Sequence, residues 1–255
     1  MNDRVRARNL AAVVMAAGRG TRMRDPSKAK VLYEIDGRPM IHFVADLAFD
    51  LGASRVIIIV GYQREAVTEY VRRSHPEVEC VVQAEQLGTG HAVMQSERAL
   101  NGFEGDVVVL SGDVPLLTRE SMNELLVHHA KSGAVATILT AEFEDPTGYG
   151  RIIRNSDGSV EKIVEHKDAS AGERTVREIN SGIYVFDKVK LFNGLSHITQ
   201  HNVQHEYYLT DVFEYFWRNK WMVSALKASH PDEIRGVNTF DQLEEVKRVL
   251  MGRKL

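Results

Sequence analysis

Two glycines and two guanidiniums fall within six residues, Gly18-Arg19-Gly20-Thr21-Arg22-Met23, directly after the apolar run 10–15. A glycine turn at the end of a buried strand exposes backbone N–H groups and clears side chains from their approach, which suits phosphate oxygens. Arg19 and Arg22, with Lys28 and Lys30 downstream, supply the positive charge that favours a polyphosphate. The competing reading is an ordinary strand-to-helix turn. The dinucleotide fingerprint does not fit: Met23 stands where it requires a third glycine, and no acid ends the run 55–60. A P-loop is also excluded, since no Gly-Lys-Ser/Thr follows at the required distance. The loop reads as a phosphate cradle of a third kind.

Further along, the apolar run 107–110 delivers Ser111-Gly112-Asp113. A lone aspartate after a strand is either a turn residue or, beside a phosphate cradle, a ligand for Mg²⁺, which takes hard oxygen donors. Gln83-Ala84-Glu85-Gln86-Leu87-Gly88-Thr89-Gly90-His91 leaves another strand and enters a helix. The Gln83 amide could read a nucleobase edge, with Gly88 and Gly90 admitting a flat ring and Thr89 donating a hydroxyl. A plain glycine-rich turn reads the same way. Asp145-Pro146-Thr147-Gly148-Tyr149-Gly150 is equally open between ligand access and simple connection. His197, His201 and His205 are four apart, but Asn193-Gly194 and the polar setting predict a solvated loop rather than a zinc-binding helix face. His128-His129 is placed at a helix end. Trp217 and Trp221, near Phe213 and Phe216, read as core or subunit contact.

The elements that must position these residues alternate. Runs 10–15, 56–60, 78–82, 107–110 and 134–140 are short, β-branched and apolar, as strands covered on both faces of a parallel sheet read. Residues 39–51 place Met40, Phe43, Val44, Leu47 and Leu51 at helical spacing, with Gly52 as the stop. Segments 63–73 and 121–131 are also helical, the latter capped by Thr118 and closed by Gly133. This rhythm predicts an α/β fold with a Rossmann-like, mostly parallel, doubly wound mixed sheet. The second half changes character. Strands 151–154 and 160–164 flank a hairpin turn at 155–158, and 178–186 is another strand. Helix-like segments follow at 209–217 and 239–250. One domain over 1–255 is expected, with lobes at about 1–140 and 141–238 and a C-terminal helix in 239–255.

Composition sets the outer limits. The chain has 255 residues, 44% of them hydrophobic, enough for a sizeable core. A net charge of −3 gives no general basic field, so no nucleic-acid partner is expected. The single cysteine, Cys80, cannot pair internally and reads as a buried small hydrophobe. Residues 1–9 are charged and lack the apolar centre of a signal peptide, and no apolar run is long enough to span a bilayer. A soluble, cytoplasmic protein without membrane contact is the expectation.

Taken in order, segments 15–23 with Lys30-Val31-Leu32, then 83–92, 112–116, 145–152, 164–169, 178–182, 206–211 and Gly236-Val237-Asn238 resemble one family. It is the uridylyltransferase domain of the bacterial N-acetylglucosamine-1-phosphate uridylyltransferases, among the sugar-phosphate nucleotidylyltransferases. The resemblance runs through roughly residues 10 to 240, nearly the whole chain. It implies that Met15, Ala16, Ala17 and Gly18 form the nucleotide loop, with Arg22 and Lys30 at the triphosphate. It likewise implies that Gln83, Gly88 and Thr89 read uracil and that Ser111 and Gly112 lie at the nucleotide. Asp113 and Asn238 correspond to the Mg²⁺ ligands. Gly150, Glu165 and Asn180 correspond to positions around the sugar, making the second lobe a small β-rich sugar-binding one. The implied substrates are UTP and N-acetylglucosamine-1-phosphate, and the reaction is in-line attack on the α-phosphorus.

This chain departs from the family pattern in three places. Ala29 replaces a usual proline before Lys30, and the stretch to Lys30 is one residue longer with Pro26 early in it, which makes Lys28 a rival for the role of Lys30. Ser111 replaces a usual aromatic, leaving base and sugar preference open. The hexapeptide repeats of the bifunctional members are not found in 1–255, so neither acetyl transfer nor that domain's trimer is expected, although a homo-oligomer is possible. The alternatives are a nucleotidylyltransferase for another nucleotide and sugar phosphate, or an inactive regulator that binds nucleotide sugars.

Overall fold

The computed structural model describes residues 9–23, 25 and 27–253; the charged segment 1–8 and Pro26 lie outside it. In chain order the first half contains β1 (Leu10–Ala16), β2 (Glu34–Ile35), β3 (Arg38–Pro39), α1 (Met40–Asp50), β4 (Arg55–Val60), α2 (Arg64–Ser74) and β5 (Glu79–Val82). Next come α3 (Thr89–Met94), β6 (Asp106–Ser111), α4 (Arg119–Ser132) and β7 (Ala136–Glu142). The rest comprises β8 (Gly150–Arg154), β9 (Val160–Val164), β10 (Glu178–Asp187), α5 (Lys188–Leu195), α6 (Asp211–Arg218), β11 (Val223–Lys227) and α7 (Phe240–Arg253).

Seven strands line up as β11-β7-β10-β6-β1-β4-β5, and the β8–β9 hairpin joins the same sheet through β10. β6, β1, β4 and β5 are mutually parallel, β11 runs parallel to β7, and β10 is antiparallel to both its neighbours. Successive residues of a strand point to opposite faces. Accordingly Ala12, Val14, Ile58 and Leu110 pack under α1, α2 and α4, in one cluster with Ile41, Val67 and Met122. Their neighbours Ala11, Val13, Ile57 and Val109 pack on the other face with Leu191, Val212, Phe213 and Phe216 of α5 and α6. The sheet is doubly wound, as the apolar runs predict. Thr118 caps α4 by accepting the Ser121 N–H at 3.3 Å, and Gly133 ends it in the left-handed region (φ 65°).

Some details differ from the sequence reading. β5 forms the sheet edge instead of being covered on both faces, so Val82 is exposed and Cys80 is half-buried rather than core. What burial Cys80 has pushes its thiol pKa up. His128 and His129 lie in the last turns of α4, and 197–205 contains no helix. Trp217 and Trp221 pack at the margin of the second cluster. α5, β11 and the small β2–β3 hairpin were not expected. Among the described residues, no helix is long and apolar enough to cross a membrane.

Candidate functional site

The chain leaves β1 toward β4 and β5 on one side, then returns to β6 on the other. That reversal opens a crevice beyond the strand ends, where ligands of open α/β sheets bind. Met15 and Ser111, paired across β1 and β6, form its floor. The cavity above, about 560 Å³, is lined by Met15, Ala16, Ala17, Gly18, Arg19, Lys30, Val31, Gln83, Gln86, Gly88, Thr89, Ala92, Ser111, Asp113 and Glu206. Ten of the sequence-derived positions therefore meet in one place. Of the predicted nucleotide and metal positions, Arg22, Asn238 and Gly112 are not in this lining, and Gly112 packs beneath it. Its N–H donates to Met15 O at 3.0 Å, and a Cβ there would lie 3.0 Å from Ile41 Cδ1, so it serves close packing beneath the floor.

The glycines act in different ways. Gly18 borders open space, whereas Gly20 (φ 61°) has Lys30 Cβ 2.7 Å from where its own Cβ would be. Gly20 thus lets the loop close on the Lys30 stem. Gly88 and Gly90 were expected to admit a base, yet added Cβ atoms would each fall 2.5 Å from the returning segment, on Tyr207 O and Ile198 Cδ1 respectively. Their smallness brings 206–208 against α3. Gly90 N–H donates to Tyr207 O at 2.8 Å, and Thr89 Oγ1 accepts from Leu209 N–H at 3.0 Å. Gln83 is buried, and its Nε2 lies 3.0 Å from Gly88 O and 3.1 Å from His91 Nδ1, leaving its carbonyl oxygen for a ligand.

At the cavity's cationic end, Lys30 Nζ lies 2.5 Å from Asp113 Oδ2 and donates to Asn238 Oδ1 at 2.9 Å. Arg22 donates to the same Asn238 oxygen at 2.7 Å. Lys28 instead faces Glu34, 3.6 Å away, and packs over the Tyr33 ring. Asn238 reaches Asp113 because Val237 N–H donates to Asp113 O at 2.9 Å. It is held there by a capping box at the start of α7: Gln242 Oε1 accepts from the Asn238 and Thr239 N–H groups, and Gln242 N–H returns to Thr239 Oγ1. The inner face of α7 joins Met23, Tyr33, Ile35 and Met40 in a third core cluster through Leu243 and Val246.

A single ammonium bound by Asp113 Oδ2 and Asn238 Oδ1 means that two hard oxygens converge on one point. Such a donor pair suits a divalent cation completed by phosphate and water oxygens. The residues present therefore fit Mg²⁺.

Met15, Thr89 and Ser111 also border a second cavity of about 190 Å³, whose other walls include Gly148, Tyr149, Gly150, Glu165, Asn180, Gly182 and Thr210. Gly150 sits opposite Asn180 in the β8–β10 pair. Asn180 Nδ2 donates to Tyr184 OH at 2.7 Å, and Glu165 accepts from Thr210 Oγ1 at 3.1 Å. Burial raises the Glu165 pKa, with Asp168 and Glu206 adding repulsion against the Thr210 hydrogen bond. Beyond Glu165 and Thr210 a third cavity of about 750 Å³ is lined in part by Asp168, His197, His201, Asp211 and Glu214. Asp211 is pushed up to about 7, chiefly by burial and then by Glu214, Glu165 and Asp168. Gln86, Glu206, Tyr149 and Asp211 line these spaces without having been singled out as site residues.

A nucleotidyl transferase family model matches residues 11–230. The chain is 48% identical over 242 residues to the bifunctional protein GlmU of Geobacillus thermodenitrificans, covering 95% of this chain and 52% of that protein. It is 45% identical over 247 residues to the bifunctional protein GlmU of Pelotomaculum thermopropionicum, covering 97% of this chain and 53% of the relative. The chain thus spans about half the length of these relatives. A crystal structure of UDP-glucose pyrophosphorylase complexed with UDP-glucose superposes with a TM-score of 0.77 at 18% identity, covering 96% of this chain and 99% of the other, and shares the fold.

Proposed function

The chain belongs to the nucleotidyl transferase family, and from that premise we propose that it joins UTP to N-acetylglucosamine-1-phosphate, giving UDP-N-acetylglucosamine and pyrophosphate. The observation that carries this reading is the convergence of Lys30, Arg22, Asp113 and Asn238 at the mouth of a glycine loop. The base takes the Gln83 end of the large cavity, and the triphosphate lies along 15–18 toward Lys30. The sugar occupies the smaller cavity, where Glu165 and Asn180 meet its hydroxyl and acetamide groups. The two cavities share Met15, Thr89 and Ser111, so a phosphate on the sugar faces the α-phosphorus across that boundary.

No general base is required. A phosphate monoester has its second pKa at about 6, so the nucleophilic oxygen is already ionised near neutral pH. The protein's part is positioning and charge neutralisation. Lys30 and Arg22 stabilise the departing pyrophosphate, and loop N–H groups hold the phosphoryl oxygens. Asp113 and Asn238 would hold Mg²⁺ once Lys30 turns to the triphosphate, and the ion would supply charge stabilisation to the phosphoryl group under attack.

A matrix of nucleoside triphosphates against sugar-1-phosphates, read by pyrophosphate release, tests the proposal. UTP with N-acetylglucosamine-1-phosphate is expected to exceed every other pair. Asp113→Asn should lose about a hundredfold or more in rate, with Lys30→Ala falling alongside it and Lys28→Ala staying close to the parent. Binding without turnover for every pair would overturn the proposal, as would a different best pair.

A further inference from the structure

Away from the cleft, on the outer side of the α1–α2 layer, two histidines and one acid converge. His42 and Asp46 are one turn apart on α1, and His75 is the residue that closes α2. Asp46 Oδ1 is 2.9 Å from His75 Nε2, and Asp46 Oδ2 is 3.4 Å from His42 Nε2. Their ligand-capable atoms all fall within 4.8 Å of one another, the one such group of three among the described residues. Bonds of about 2.0–2.1 Å at tetrahedral angles place neighbouring donor atoms about 3.3–3.4 Å apart. The Asp46–His42 separation matches that spacing, and the widest donor separation, within 4.8 Å, has to close by up to about 1.4 Å on coordination.

The opposite ring nitrogens are also held. Tyr70 OH is 3.0 Å from His42 Nδ1, and Ser74 Oγ is 2.8 Å from His75 Nδ1. Phe49 stacks parallel to His75, while Phe43 and Tyr70 meet the His42 ring edge-on. Contacts of this kind orient metal-ligating imidazoles and fix their tautomers.

The Ser74 hydroxyl also lies 3.0 Å from Tyr70 O, which ties the His75 ring to the last turn of α2 and aims its Nε2 at the Asp46 carboxylate 2.9 Å away.

We propose that His42, Asp46 and His75 bind a divalent transition metal of the zinc class through two imidazole Nε2 atoms and one carboxylate oxygen. Nitrogen donors separate this site from one for Mg²⁺. The half-exposed Asp46 side chain leaves the remaining coordination position open to solvent. The ion clamps α1 to the end of α2 and acts on stability rather than on chemistry in the cleft.

The full chain, stripped with chelator, is titrated with Zn²⁺ while Tm is followed, and with Co²⁺ while the visible spectrum is followed. The parent should gain Tm with Zn²⁺ and show the visible bands of a four-coordinate nitrogen/oxygen cobalt site. His75→Ala and His42→Ala should each lose both signals, and Ser74→Ala should weaken affinity about tenfold by freeing the ring. His201→Ala, in the loop that also carries His197 and His205, should bind as the parent does. Asp46→Asn keeps size and polarity if the histidine variants fail to fold, and it should lose the cobalt bands too. A parent without cobalt bands or a Zn²⁺-dependent Tm would overturn the proposal, as would unchanged metal affinity in the Asp46→Asn or His75→Ala protein.

Discussion

At the scale of single residues, the same kind of side chain does opposite things according to what surrounds it. Asp113 pairs with the Lys30 ammonium, whereas Asp211 faces Glu165, Asp168 and Glu214 and is half-withdrawn from water. Its place in the first turn of α6 favours the anion, yet burial and repulsion win and lift its pKa from 3.8 to about 7. The folded state then keeps a proton that the unfolded chain has already released, so stability from this group falls as pH rises from about 4 to 7. Asp211→Asn should flatten that fall, gaining on the parent at pH 8 and not at pH 4 when both are unfolded in urea. An unchanged difference between the two pH values would remove Asp211 as the cause. Sequence made Asp113 legible because it ends an apolar strand. Asp211 was less so, since its shift comes from acids brought together only by folding. The choice between Lys28 and Lys30 was likewise invisible, being decided by the approach of Gly20 and by Asn238, 208 positions beyond Lys30.

At the scale of elements, β10 does two jobs and has to bend between them. Residues 184–187 pair with β6 and 184–186 with β7 inside the main sheet, while Ile179 and Asn180, also paired with β7, take β8 of the second lobe as a further partner. The register slips between Asn180 and Tyr184, and side chains occupy backbone groups at the irregularity. Ser181 Oγ donates to Leu139 O at 2.6 Å and accepts Ile183 N–H, and Asn180 Oδ1 accepts Gly182 N–H. Gly182 carries the bend at φ 78°, beside Ser111 Oγ. An added Cβ would have room there, so the cost of Gly182→Ala is the backbone conformation, about 1–2 kcal/mol. Gly182→Asn should cost less, because asparagine enters that region more readily. Denaturant midpoints of the three proteins check the order, and equal losses for Ala and Asn would mean that φ is not the determinant. The periodicity of 178–186 announced a strand but not its break, since one glycine within an apolar run has several readings. β11 escaped notice for a related reason: its Ser224 and Lys227 dilute the apolar pattern that marked the inner strands.

At the scale of the whole molecule, the expected two lobes share one sheet. β10 of the second lobe sits between β6 and β7 of the first, and Val185 belongs to the same core cluster as Val14 and Ile58. Both strand faces continue across that junction, so opening one half uncovers apolar surface of the other. We expect the lobes to unfold together, even though nucleotide contacts are drawn mostly from residues before 114. A ligand present at about a hundred times its dissociation constant stabilises the folded state by about 2.7 kcal/mol, which slows exchange through global unfolding about a hundredfold. Hydrogen exchange with and without saturating UTP therefore separates the possibilities. The slowest amides of β7 and β10, such as Leu139 and Val185, should slow by the same factor as Val13 and Ile58 in β1 and β4. Protection confined to β1 and β4 would mean that the β10 junction opens independently and that the lobes behave as two folding units. Equal protection would mean that the nucleotide stabilises the sugar-facing half through the continuous core, without touching most of it.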